Sequence, residues 1–183
     1  MSTINLHFNL NNVCQKYMDY PSVKLAWYEI LQGAMTGVLR EVESLRSNTK
    51  WGHGYIGNQY QKWGQSISGA ISEMALSKIF SQYFTHSVNN FKGKDIIING
   101  KPVQVKSQLY TKGDKYLTIR PNFKPEDYYF LVIDKMPTFY VCGYIQAKHC
   151  QKLGNWTNKG FDRPYFWEIT LDKLKPIEEF KNE

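Results

Sequence analysis

Cysteine is scarce in this chain, and the few present do not pair up. Cys14, Cys142 and Cys150 form an odd set with no close spacing, which argues against a disulfide framework and against a zinc site built on paired cysteines. His7, His53, His86 and His149 fall at no metal-binding spacing; His149 lies near Cys142 and Cys150, but nothing supplies a fourth ligand. Long apolar runs are missing too. The longest, Tyr128–Ile133 and Phe139–Ile145, are far short of a membrane span. Met1–Leu10 lacks the basic-then-apolar order of a signal peptide, so a reducing, cytoplasmic setting is expected. Gly52, Gly54 and Gly57 lack the preceding strand and the GK[ST] ending of a phosphate-binding loop. Acidic residues are the minority: 16 Asp plus Glu stand against 23 Lys plus Arg, a net +7. That excess suits a polyanionic partner. Nineteen of the cations are Lys, a pattern that genome-wide compositional bias also produces.

What is present reads as one domain over 1–183, with a helical part to about residue 85 and a sheet core over about 90–171. Asp19-Tyr20-Pro21 has the form of a helix start. Val23, Trp27, Ile30, Leu31, Ala34, Met35, Val38, Val42 and Leu45 then recur at three- and four-residue steps, predicting an amphipathic helix that ends near Ser47. Gly33 and Gly37 lie inside it, either as a close-approach surface or as a defect. Residues 48–60 read as a loop, and Trp63, Ile67, Ala70, Ile71, Met74 and Phe80 mark a second helix over about 61–84. Beyond Asn89 the period changes to two. Strands are predicted at Asp95–Ile98, Pro102–Ser107, Tyr116–Arg120, Tyr128–Ile133, Thr138–Ile145 and Tyr165–Leu171, with short helices near Gln146–Gln151 and Ile177–Phe180. Two helices followed by a run of strands is an α/β (α+β) class.

Asn99-Gly100 between two apolar runs is the strongest hairpin signal. A two-residue loop sets Ile98 opposite Lys101, Ile97 opposite Pro102, Ile96 opposite Val103 and Asp95 opposite Gln104. Pro102 then falls in a non-hydrogen-bonded pair, where its missing N–H breaks no bond within the hairpin. Ile96, Ile98, Val103 and Val105 share one face; Asp95, Gln104 and Lys106 share the other. A carboxylate, an amide and an ammonium thus converge. An ordinary solvated strand face gives the same pattern.

Asp95 followed by Gln104-Val105-Lys106 resembles the core of the PD-(D/E)XK nuclease superfamily, in the Gln-x-Lys form of Mrr-like restriction enzymes. Gly69-Ala70-Ile71-Ser72-Glu73-Met74-Ala75 resembles the helix that presents a Glu to that site. The strand pair Asp127–Ile133 and Phe139–Ile145 is similar to one in small phage-type nuclease proteins. The likeness covers about residues 63–145; Lys94 stands where a Pro often precedes the Asp. The resemblance implies a restriction-endonuclease-like mixed sheet flanked by helices and a Mg²⁺-dependent DNA endonuclease, with Mn²⁺ as a substitute. It also implies that Asp95, Gln104, the Val105 carbonyl and Glu73 hold the cation, with Lys106 positioning the water or stabilising charge at phosphorus. Gln104 removes one negative charge from such a site, so Glu73 counts for more, or else the site has decayed and the protein only binds DNA.

Ser107, Gln108, Tyr110, Thr111, Lys112, Lys115, Tyr116 and Arg120 mix amides, cations and aromatics as a DNA-binding strand does, and Lys62 joins a similar mixture over Trp51–Trp63. The latter region equally suits a packed aromatic loop. A protein-binding adaptor using the aromatic surface is a third reading, and a homodimer is compatible with all three.

Overall fold

The computed structural model describes residues 17, 19–48, 58–88, 95–111, 113–161 and 163–182. The predicted loop over 48–60 is therefore described only at its two ends, and Cys14, His7, His53, Lys94 and Lys112 lie outside the described residues.

Two long helices, α1 (Trp27–Arg46) and α2 (Gln59–Ile79), come before most of the strands. Helix α1 starts later than Asp19-Tyr20-Pro21 suggests, because Ser22–Lys24 is a strand, β1. The Pro21 carbonyl accepts from Val141 N–H, and Val23 pairs with Phe139. Glu29 closes the first turn of α1, its carboxylate accepting from Ala26 N–H at 2.6 Å. Asn58 and Gln61 cap α2 reciprocally, each side chain accepting the other's backbone N–H. Ser81, at φ 53°, turns the chain out of the second helix before residue 84.

The helices pack antiparallel, and the two glycines of α1 are the reason they come so close. A Cβ on Gly37 would lie 2.6 Å from the Ile67 Cα and the Ser66 carbonyl, and one on Gly33 would lie 3.0 Å from the Ile71 Cα. Backbone meets backbone there. The inward face of α1 is accordingly small and polar: Gly33, Thr36, Gly37, Glu41 and Ser44 are buried. Of the apolar stripe, Val23, Ile30 and Ala34 reach the core, whereas Trp27, Leu31, Met35, Val42 and Leu45 are exposed.

The remaining strands are β2 (Ile96–Ile98), β3 (Lys101–Leu109), β4 (Tyr116–Ile119), β5 (Tyr128–Lys135), β6 (Thr138–Gln146), β7 (Asn155–Thr157) and β8 (Phe166–Thr170). Short helical turns cover Ala147–Leu153, where α3 is Cys150–Leu153, and α4 is Ile177–Asn182. A mixed five-stranded sheet has the order β1-β6-β5-β3-β2, with β3 and β5 parallel and the other neighbours antiparallel. A three-stranded antiparallel sheet, β4-β8-β7, covers one of its faces.

Central β5 is apolar on both sides, so each face of the large sheet supports a core. Ile71, Met74 and Ala75 of α2 pack with Ile96, Ile98, Val103, Val105, Phe130 and Val132, closed by Ile177 and Phe180 of α4. On the other face Tyr129, Leu131 and Ile133 meet Leu117, Ile119 and Ile169. The result is a mixed α/β architecture with helices against the large sheet. Among the described residues no helix is long and apolar enough to cross a membrane.

Candidate functional site

The hairpin that carries the motif forms in the register counted from the sequence. Ile98 pairs with Lys101, Ile97 with Pro102 and Ile96 with Val103. Asn99 and Gly100 sit at φ 51° and 74°, the left-handed pair that such a turn needs. One step further the ladder departs from the regular count. Asp95 N–H donates to the Val103 carbonyl at 3.2 Å, while Asp95 Oδ2 accepts from Val105 N–H at 2.6 Å. Strand β2 is only three residues long, and the Asp95 carboxylate takes over where its backbone stops, satisfying the next edge donor of β3. The residue therefore has a structural task besides any chemical one.

Gln104 and Lys106 point away from Val103 and Val105, as alternation requires. In the parallel pairing Gln104 lies beside Tyr129 and Lys106 beside Leu131. The Lys106 ammonium stands 5.6 Å from the centre of the Tyr129 ring. Burial, then the charges of Asp127 and Asp95, push the Tyr129 hydroxyl up to about 12, so it keeps its proton at neutral pH. Asp127 is itself buried.

Glu73 comes from α2 and is only 5% exposed. Arg40 of α1 grips it with two bonds, Nη1 to Oε1 at 2.7 Å and Nη2 to Oε2 at 2.8 Å, and a third bond from Nε fixes the guanidinium to the Ser87 carbonyl at 2.8 Å. Burial pushes the Glu73 carboxyl up to about 7; the Arg40 bond pulls it down, Asp95 pushes it up, and the charges of Arg40 and Lys106 draw it down again. The Glu73 carboxyl thus feels the charges of Arg40, Asp95 and Lys106, and the Arg40 guanidinium those of Glu73 and Asp95. The formal charges of these two acids and two bases sum to zero.

A hard cation prefers oxygen donors, and the hairpin has them in the Asp95 carboxylate, the Gln104 amide and the Val105 carbonyl. In kind these fit Mg²⁺. Glu73 fits less well, because both of its oxygens already accept from Arg40. No group of three or more His, Cys, Asp or Glu that could hold a metal occurs among the described residues.

The residues read as a DNA-binding strand have varied destinations. The Gln108 side chain bridges to β4, its Nε2 donating to the Tyr116 carbonyl at 2.8 Å and its Oε1 accepting from Tyr116 N–H at 3.3 Å. Lys115 is buried, and its ammonium donates to the carbonyls of Tyr110 and Gly113 at 3.1 and 3.0 Å. Lys62 pairs with buried Glu41 at 3.1 Å, and Ser66 donates to the same carboxylate. Ser107 and Tyr110 are half-buried, and Arg120 is exposed. His149 and Cys150 sit together on the turn after β6, with the Cys150 thiol buried and pushed up to about 11, chiefly by that burial.

Sequence reasoning missed Arg40 and Tyr129. Arg40 lies three residues beyond Gly37 on the small-residue side of α1, so the glycine spacing was a usable signal. Tyr129 could be found only by knowing that β3 and β5 pair in parallel. No protein-family model matches this chain, and neither a curated protein nor a solved structure matches it.

Proposed function

We propose that this protein is a metal-dependent DNA nuclease, an endonuclease on a restriction-endonuclease-like sheet. One observation carries the reading. One end of β3 carries Gln104 and Lys106, the Asp95 carboxylate is bonded there to Val105 N–H, and the charges of Asp95 and Lys106 bear on the Glu73 carboxyl of α2. Asp95, Gln104 and the Val105 carbonyl would hold a divalent cation, whose chemistry is to neutralise phosphate charge and acidify water. Lys106, positioned beside the Tyr129 ring, donates to a phosphate oxygen and stabilises the negative charge that grows on it as water attacks and the phosphorus–oxygen ester bond breaks. Its ammonium serves as a charge donor while it stays protonated and as a base only after losing that proton. Arg40 and the Val105 N–H orient the two carboxylates. The apolar reverse face of β3 holds the hairpin rigid.

The Arg40–Glu73 clamp favours a second reading, a DNA-binding protein on the same fold that cleaves nothing. In that reading Arg40 supplies the positive charge that a cation would bring, and Gln104 marks a decayed site. Incubation with plasmid, linear and single-stranded DNA in Mg²⁺, Mn²⁺ or EDTA tests both. Metal-dependent cleavage abolished by EDTA is the expected result. Binding without cleavage on every substrate and metal overturns the nuclease reading in favour of the binder.

A further inference from the structure

Helix α1 turns its apolar side to solvent. Trp27, Tyr28, Leu31, Met35, Leu39, Val42 and Leu45 are 44–73% exposed, while the opposite face, built on Gly33, Thr36, Gly37, Glu41 and Ser44, meets α2. At 100° per residue these apolar side chains fall in one continuous band rather than scattered. Taking about 200 Å² per residue, the aromatic value, as an upper guide, they leave at most on the order of 800 Å² uncovered. The largest apolar patch of a typical monomer is about 300–600 Å², and a stable pairwise interface needs about 800 Å² from each partner. Among the described residues nothing covers this surface, and one matching surface is enough to cover it.

The spacing identifies the partner surface. Tyr28, Leu31, Met35, Val38, Val42 and Leu45 follow alternate steps of three and four, the 3.5-residue repeat of a helix that packs along another helix. Leu39 and Trp27 flank this seam. We infer that the face is a homodimer interface, in which α1 of one copy packs along α1 of a second across a two-fold axis. The same stripe then serves both sides, as closed symmetry requires. Its charged neighbours do not oppose this, since Arg46 and Glu43 are already paired within the helix at 2.7 Å. The inference is independent of whether the hairpin cleaves DNA.

Light scattering on the full chain at micromolar concentration should return twice the 21.4 kDa chain mass. Leu31→Lys combined with Met35→Lys places charge mid-seam and should weaken self-association by about a hundredfold or more, giving a monomer with unchanged far-UV circular dichroism. Met35→Cys in a Cys14→Ser background supplies a check that does not rely on charged variants folding: mild oxidation should give a covalent dimer. A wild-type chain that stays monomeric overturns the inference, and so does a dimer that survives the double lysine variant. A monomer that co-sediments with anionic phospholipid vesicles would also overturn it, by assigning the face to a membrane surface.

Discussion

Arg40 binds both carboxylate oxygens of Glu73, at 2.7 and 2.8 Å, and so ties α1 to the one acidic group that α2 contributes to the candidate site. The pair is largely buried, with side-chain exposures of 23% for Arg40 and 7% for Glu73, and there a bidentate bond stabilises little relative to a hydrophobic pair but is costly to break from one side.

Arg40→Ala should therefore destabilise the fold by about 3 kcal/mol, the lower end for a broken buried pair because Arg40 keeps some exposure. The loss should be larger at pH 8 than at pH 5. Burial already holds the folded-state pKa of Glu73 above its ordinary value, near 7. A raised carboxyl contributes stability below its unfolded pKa and loses it as pH rises through the folded one. Removing Arg40 takes away the group that pulls in the other direction, so alkaline pH must then either ionise an unpaired buried acid or keep it protonated at a cost. Urea unfolding at the two pH values measures the difference; equal losses would contradict it.

Much of this architecture could be read in advance, for local reasons. Asn99-Gly100 fixes its own turn, and the turn fixes the register of Ile96 to Val103. The apolar runs of β5 and β6 and the alternation of β4 and β8 announce strands without help from neighbours. Strands β1 and β7 leave no signal in the sequence, because each has three residues and exists only through its partner, β6 or β8. The periodicity of α1 shows that a stripe exists but not which way it faces; Gly33 and Gly37 decide that by letting α2 approach the other side. Gln108 and Lys115 looked like ligand-binding residues because a polar side chain does not reveal its hydrogen-bond partner until the tertiary fold supplies one.

The helix crossing gives glycine substitutions of opposite sign. Gly37→Ala adds a methyl where backbone stands 2.6 Å away, and should cost about 2 kcal/mol despite better helix propensity. Gly64→Ala, in α2 with nothing within 4 Å, should stabilise by about 1 kcal/mol. Unfolding midpoints in urea at constant m-value separate the two. Two destabilising results would mean that the crossing is not what selects glycine.

DNA affinity should fall by orders of magnitude between roughly 50 and 200 mM salt, as released counterions require. Arg120 is exposed, so Arg120→Ala should weaken binding and lower the salt slope by about one. Lys115→Met should leave the slope alone and reduce stability, because its ammonium serves the Tyr110 and Gly113 carbonyls. Fluorescence anisotropy across a salt series reads both; a flat series would point to a protein-binding role instead.

Three substitutions at the hairpin separate catalysis from architecture. Asp95→Asn keeps an acceptor for the Val105 N–H, so the hairpin should stay intact while the anionic oxygen donor is lost and cleavage disappears. Lys106→Ala should abolish cleavage differently, leaving the oxygen donors in place but removing the charge that steadies the phosphate. Both variants should still bind DNA, and Asp95→Asn should bind more tightly than wild type in EDTA, where a carboxylate facing a phosphate is repulsive. Gln104→Glu restores a negative charge on the same strand face. If the site is active but short of charge, this variant should match or exceed wild-type cleavage at low Mg²⁺, since a second carboxylate strengthens a hard-cation site more than an amide does. Gel-based cleavage over a Mg²⁺ titration distinguishes the outcomes. Should wild type and Gln104→Glu be as silent as Lys106→Ala, the Arg40–Glu73 clamp has replaced the cation outright and the hairpin is an element of a DNA-binding surface.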